Sequence, residues 1–252
     1  MNKELVAEIK KLMLSAGEIA LNARLSGIKV TWKPDNSPVT NADQEISQHI
    51  YEILSVLTPE IPIICEERDL FSVNEKEKFW LVDPIDGTRS FIANKDSFTV
   101  NIALIENQEA VYGFIYQPAT GKLYYTDENK KFCIEINGEA VEKNPHSHNG
   151  FVAVVSSNSF NSLTSSYLKK HGLLEIISIP SSLKLCLIAE GVGDVFPKFG
   201  TTMEWDIAAG HALIKSAGGD IYLLDGKLMT YAKDGFLNPH FLAANKNWIS
   251  QL

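Results

Sequence analysis

The chain has 252 residues, of which 45% are hydrophobic and 21% charged, and its formal net charge is −8. That length supports a sizeable core in one large domain or two modest lobes, and the acidic balance argues against a nucleic-acid polymer as partner. The opening "MNKELVAEIKKLMLSAGEIA" carries charges throughout and no run approaches about 18 apolar residues, so neither a signal peptide nor a membrane span is expected.

In chain order, Leu5, Ile9, Leu12, Ala16, Ile19 and Ala23 recur at helical spacing and predict an amphipathic helix. The polar stretch "KPDNSPVTNAD" leads into a second helix with Ile46, Ile50, Ile53 and Leu57 on its inner face. Five short runs rich in β-branched and aromatic residues follow: "IPIIC", "FWLVD", "FTVNIALI", "AVYGFIYQP" and "KLYYT". They lie close together without intervening helices, which predicts an antiparallel or mixed sheet. After the turn-like "NPHSHNG" the order becomes strand, helix, strand, helix, strand, through "FVAVVSS", "NSLTSSYLKKHG", "EIISI", "SLKLCLIAEG" and "DVFPKF". The helix "EWDIAAGHALIKSAGG" then closes on a glycine pair. Helices alternating with two strand-rich regions argue for a layered α/β or α+β arrangement, with a soft boundary near residue 149.

Within this pattern, Asp83 and Asp86 flank Pro84 and Ile85 at the end of an apolar run. A turn accounts for them, since Asp-Pro and Asp-Gly are common turn dipeptides. So does a cation site, in which both carboxylates and the Ile85 carbonyl offer the hard oxygens that Mg²⁺ takes. Gly87 permits close backbone approach, and Thr88 adds an N–H and a hydroxyl. Glu66 and Glu67 follow another strand and equally suit a solvated loop; Asp206 begins a helix, where an acid favours the dipole. Three scattered cysteines, Cys65, Cys133 and Cys186, suit a reducing compartment, and Cys65 is expected to be structural.

Taken together, "DNSPVTNAD", "EE", "DPIDGT" and "WDIAAG", in that order and at wide spacing, resemble the inositol monophosphatase superfamily of Mg²⁺-dependent, lithium-sensitive phosphatases. The resemblance runs essentially the whole length and implies a layered α-β-α-β sandwich of that family's fold, as one domain over 1–252 with lobes 1–149 and 150–252. "WLVDPIDGT", "FTVNIALI", "SSLKLCLIAEG" and "FLNP" look like the CysQ branch, 3′(2′),5′-bisphosphate nucleotidases acting on adenosine 3′,5′-bisphosphate and related nucleotides, including its sulfated relative. The resemblance assigns two or three Mg²⁺ ions to Glu66, Asp83, the Ile85 carbonyl, Asp86 and Asp206. It places the phosphate on the Gly87 and Thr88 amides, with Glu66, Ile85, Asp86 and Asp206 around it. It also gives Asp43 and Thr88, with Glu66, to a water that attacks in line, Asp43 accepting a proton from Thr88.

"PSSLK" departs from the family's G-S-S-L-K-like pattern at Pro180, while Ser181, Ser182 and Lys184 remain for a second phosphate or the adenosine. Asn158 and Ser159 stand where a Ser-His pair is often found, which leaves substrate preference open. Inositol monophosphatase or fructose-1,6-bisphosphatase activity is the alternative within the mechanism, and a non-catalytic Mg²⁺-dependent phosphometabolite binder lies outside it. His146 and His148 are expected in a polar loop, His211 as a packed helix residue, and Asp35 as a turn former. The implied protein is cytoplasmic, with or without peripheral attachment to the inner membrane. Its partner is a small nucleotide bisphosphate, it serves sulfur metabolism, and a monomer is expected in preference to a homodimer.

Overall fold

A computed structural model describes residues 1–70, 73, 77–143, 150–157 and 160–249. In chain order its elements are α1 (Lys3–Ser26), β1 (Val30–Trp32), β2 (Pro38–Thr40), α2 (Asn41–Leu57), β3 (Ile63–Cys65), β4 (Lys78–Asp86), α3 (Thr88–Ile92), β5 (Thr99–Glu106), β6 (Glu109–Gln117), β7 (Lys122–Thr126), β8 (Phe132–Ile136) and β9 (Glu139–Ala140). There follow β10 (Val152–Ser156), α4 (Ser162–Lys170), β11 (Glu175–Ile179), α5 (Leu183–Glu190), β12 (Val195–Lys198), α6 (Glu204–Ser216), β13 (Asp220–Leu223), β14 (Phe241–Ala244) and α7 (Lys246–Ile249). Among the described residues, no helix is long and apolar enough to cross a membrane.

The strand-rich middle forms a seven-stranded sheet in the order β3-β4-β5-β6-β7-β8-β9, parallel between β3 and β4 and antiparallel elsewhere. The later strands form a five-stranded sheet in the order β11-β10-β12-β14-β13. Its parallel pairs, β10 with β11 and β10 with β12, come from the strand-helix alternation. Pro197 is tolerated in central β12 because pairing with β10 is confined to Val195 opposite Ala153.

Period-2 alternation builds the layers. Trp80, Val82, Val100, Ile102 and Leu104 face α1 and α2, while Phe79, Leu81, Ala103 and Ile105 join the cluster around α5 and α6. Those two helices lie between the sheets, giving the expected α-β-α-β order. Leu168 of α4 and Trp248 of α7 pack with Ala153, Val195 and Ala244 on the far side of the smaller sheet, a fifth layer that the periodicity did not suggest.

Two expectations need correction. The polar stretch before α2 is a hairpin, in which β1 pairs with the fully buried β2 across a turn at Asp35–Ser37. Asp35 does form that turn, accepting from the Ser37 N–H at 2.9 Å and its hydroxyl at 2.7 Å. On α2, Leu54 rather than Ile53 or Leu57 is fully buried beside Ile46 and Ile50, because the helix presents its 46-47-50-54 stripe to the core. In α1, Ile9, Leu12, Ala16 and Ala23 are buried as expected, and Leu5 and Ile19 flank that face half-buried.

The small residues of "AAG" are explained by what they touch. A side-chain carbon built on Gly210 would lie 2.4 Å from Leu185 of α5, and one on Gly113 would lie 2.1 Å from the Ala209 carbonyl. So α6 is pressed against both its neighbour helix and β6. We expect Gly210→Ala to be overpacked by roughly 1–3 kcal/mol. A lowering of Tm by roughly 2–12 °C follows for a chain of this size, readable by thermal melting; an unchanged Tm would mean that the helices separate freely.

Candidate active site

Three residues apart on a regular strand, Asp83 and Asp86 would project to opposite faces of the sheet. A β-bulge prevents this. Asp83 pairs with Asn101 and Asp86 with Thr99, so β4 spends three steps where β5 spends two. The extra residue reverses the alternation, and Ile85 falls into the same cluster as Trp80 and Val82. Both aspartates therefore emerge on the side facing α5 and α6. Gly87 follows at φ 88°, a left-handed conformation that turns the chain directly into α3. The Gly87 carbonyl takes the Ser90 and Phe91 amides at 2.8 and 3.0 Å, so at the head of α3 the Gly87 and Thr88 amides are the ones with no carbonyl beneath them in the helix.

Glu66 follows β3 on the same side as Ile64, its amide bonded to the Val82 carbonyl at 3.1 Å. Asp206 arrives from the first turn of α6, where its Oδ2 accepts from the Met203 N–H at 2.8 Å. Asn238 of "FLNP" steadies that turn by donating to the Met203 carbonyl at 2.7 Å. Glu66, Asp83 and Asp206 each offer an oxygen, all within 4.8 Å of one another. Asp83 is 1% exposed, and its Oδ1 is buried without a hydrogen-bond partner among the described residues. A buried, unpartnered oxygen among other carboxylates is what a divalent cation such as Mg²⁺ would satisfy, so the donor set fits that ion.

Electrostatics show the cost of the arrangement. Burial, and then the charges of Glu66, Asp86 and Asp206, hold the Asp83 carboxyl well above the usual carboxylate range. Burial, with Asp86 and Glu66, pushes Asp206 up to about 8. Asp86 is raised by burial against the pull of Lys184. Glu67 is pushed by burial up to about 7, although Lys33 donates to Glu67 at 2.7 Å and to Glu66 at 2.9 Å.

Asp43 and Thr88 differ from expectation, because among the described residues they share no hydrogen bond. Asp43 Oδ2 accepts from both the N–H and the hydroxyl of Thr40, closing a capping box at the start of α2. Thr88 donates its hydroxyl to the Ile85 carbonyl at 3.1 Å. The local reason is reach: Thr40 is three residues from Asp43 and Ile85 three from Thr88, and each bond closes within one turn. Asp43 still borders the acid cluster, where burial pushes its carboxyl up to about 6.

Beside the cluster lies a cavity of about 390 Å³. Asp86, Gly87, Ser181, Ser182, Lys184 and Asp206 reach its wall. Lys184 donates to the Ser181 carbonyl, and burial draws its ammonium down to about 8 against the attraction of Asp86. Ser182 lines the cavity as expected, and its hydroxyl also bonds Thr99 at 2.8 Å and Asn101 at 2.9 Å. Arg89 and Lys198 also line the cavity and were missed in the sequence. A usable signal was Lys198 closing "VFPK", a strand whose every residue is buried. Cys65 is structural, its thiol against Ser47 and pushed by burial up to about 11. His211 is packed between the Tyr231 hydroxyl and Asp220. His146, His148, Asn158 and Ser159 lie outside the described residues.

The model of the inositol monophosphatase family matches residues 1–251. A 3′(2′),5′-bisphosphate nucleotidase CysQ of Salmonella typhimurium is 41% identical over 212 residues, covering 83% of this chain and 86% of its own. Its counterpart of the same name in Buchnera aphidicola is 36% identical over 249 residues, 96% and 94% of the two chains. The crystal structure of CysQ from Bacteroides thetaiotaomicron superposes with a TM-score of 0.83 at 32% identity, covering 97% and 98%. The chain belongs to the inositol monophosphatase family and, within it, to the CysQ group.

These raised carboxyls carry a pH signature. Asp43, Glu67 and Asp206 hold protons in the folded, metal-free state at pH values where the unfolded chain has lost them. Stability in EDTA should therefore fall as pH rises from about 4 through about 8, the sign that linkage requires when the folded state binds more protons. Added Mg²⁺ should raise Tm more at the upper end of that range than at the lower. Melts showing a flat or rising EDTA profile would contradict this.

Proposed function

We propose that the chain is a Mg²⁺-dependent 3′(2′),5′-bisphosphate nucleotidase, one phosphatase domain that converts adenosine 3′,5′-bisphosphate to AMP and phosphate. The observation carrying this reading is the convergence of Glu66, Asp83 and Asp206, with a partnerless Asp83 oxygen, beside a cavity lined by cations. Glu66, Asp83, the Ile85 carbonyl, Asp86 and Asp206 would hold Mg²⁺. Bound there, it would polarise a phosphoryl oxygen and offset the charge that builds on the entering and leaving oxygens.

The chain's own groups do the positioning. The Gly87 and Thr88 amides, free of acceptors in the first turn of α3, orient the reacting phosphate. Asp43 caps α2 through Oδ2 and leaves Oδ1 to take a proton, with a carboxyl at about 6 that suits a general base near neutrality. In this reading Thr88 would exchange its Ile85 partner for Asp43 when substrate binds. Lys184, Lys198 and Arg89 supply positive charge for the phosphate that is not cleaved, and Ser181 lines the same cavity. The same cations favour a bisphosphate over an inositol monophosphate, which has no second phosphate to offer them. The CysQ names of the relatives support this substrate class.

Phosphate release with Mg²⁺ should be fastest on adenosine 3′,5′-bisphosphate compared with inositol 1-phosphate and fructose 1,6-bisphosphate, and ³¹P NMR should show AMP as product. A charge-assisted contact is worth about 1.5–3 kcal/mol, so Lys184→Ala should raise KM for the bisphosphate roughly 10- to 100-fold while sparing that for inositol phosphate. Equal effects on both substrates, or faster turnover of inositol phosphate, would overturn the assignment.

A further inference from the structure

Beneath the two aspartates lies a polar chain that the reaction as described does not use. Thr99, Asn101 and Ser182 are 0%, 1% and 2% exposed, and Thr99 has no surface open to solvent or substrate. Three polar side chains buried together cost stability unless they are paired, and apolar residues would fill the same space more cheaply. Thr99 and Asn101 stand directly across the ladder from Asp86 and Asp83. Ser182 comes from the opposite side, at the entry to α5.

The bonding fixes the direction of each proton. Ser182 donates its single hydroxyl hydrogen to Asn101 Oδ1 at 2.9 Å. Its contact with the Thr99 hydroxyl at 2.8 Å must then be one it accepts, so Thr99 is the donor. With Oδ1 engaged, the Asn101 amide can turn only its Nδ2 elsewhere. Among the described residues that Nδ2 is buried without a hydrogen-bond partner. Side chains directly opposite each other across an antiparallel pair share a face about 4.5–5.5 Å apart, which sets Thr99 and Asn101 beside the two aspartates. An unused donor held by two hydroxyls beside a pair of carboxylates is a device for orienting one of them.

We propose that Thr99, Ser182 and Asn101 form a positioning chain that holds Asp86 in the orientation needed to ligate Mg²⁺. The inference rests on the reading of Asp86 as a metal ligand. It gives the Ser182 hydroxyl a role that acts through Asn101 on Asp86. Groups that hydrogen-bond metal-ligating carboxylates commonly change metal affinity by about 10- to 100-fold when removed. The chain also links the cavity to the metal centre, because Ser181 and Lys184 flank Ser182 on the same turn.

The test is Mg²⁺ titration by calorimetry on the full chain, with Thr99→Val, Thr99→Ser and Ser182→Ala. Thr99→Val removes the donor at nearly constant volume, and Thr99 has no surface with which to touch substrate. The expected result is Mg²⁺ affinity lowered by about tenfold or more in Thr99→Val, restored in Thr99→Ser, with KM for the bisphosphate unchanged at saturating Mg²⁺. Ser182→Ala carries the same expectation for Mg²⁺ affinity and serves alone should Thr99→Val fail to fold. Wild-type Mg²⁺ affinity in Thr99→Val or Ser182→Ala, whatever the change in Tm, would overturn the positioning chain. So would a rise in KM in Ser182→Ala without loss of Mg²⁺ affinity, which would return Ser182 to the substrate. A wild-type protein that binds no Mg²⁺ at all would instead overturn the metal reading, and this inference with it.

Discussion

Asp83, Asp86, Glu66 and Asp206 are brought together from three separate segments of the chain, around a fully buried Asp83. Burial first, and then the neighbouring like charges, hold the Asp83 and Asp206 carboxyls above their ordinary range. Folding alone gives no reason to tolerate that repulsion. It is relieved by taking up protons or by taking up a cation, and only the second leaves carboxylate oxygens as ligands. The rest of the architecture can be understood as the scaffold that imposes this convergence.

Three features of the scaffold impose it. The bulge in β4 changes the parity of one strand, so that two aspartates share a face. The approach of α6 to β6 and α5, permitted by Gly113 and Gly210, carries Asp206 in from the opposite layer. The parallel pairing of β3 with β4 delivers Glu66 alongside, just beyond the last paired residues. Each feature is local in sequence, while the centre they build is not. Cations enter only at the margins, with Lys33 on Glu66 and Glu67, and Lys184 and Lys198 on the cavity side. In the proposed reading, this division leaves the acid cluster for metal and the basic wall for phosphate.

Much of this was legible because hydrophobic periodicity and the acidic motifs are written in contiguous residues. The strands from β3 to β7, the alternation after residue 150 and the buried face of α1 all follow from spacing. The β1–β2 hairpin was not legible, since its strands are three residues each and the turn residues between them dominate the composition. The bonding of Ser182 was not legible for a different reason: its partners Thr99 and Asn101 lie more than eighty positions away in sequence, so no local pattern reports them. Asp43 illustrates a third limit. A capping residue and a proton acceptor demand the same side chain at the same place, and here the cap accounts for its Oδ2 while the acid cluster surrounds it.

If the convergence of carboxylates is sustained by a cation, then removing one of them should help the empty protein and harm the loaded one. Asp83→Asn, melted at about pH 8 with EDTA and again with Mg²⁺, reads both sides of that statement, because linkage ties the repulsion to deprotonation. Saturation at about 100 times Kd is worth roughly 2.7 kcal/mol to the wild type, or roughly 5–11 °C. The variant is predicted to melt at or above the wild type in EDTA and to gain nothing from Mg²⁺, so that the order of the two proteins reverses. A variant that melts below the wild type in EDTA and keeps the full Mg²⁺ gain would contradict the account.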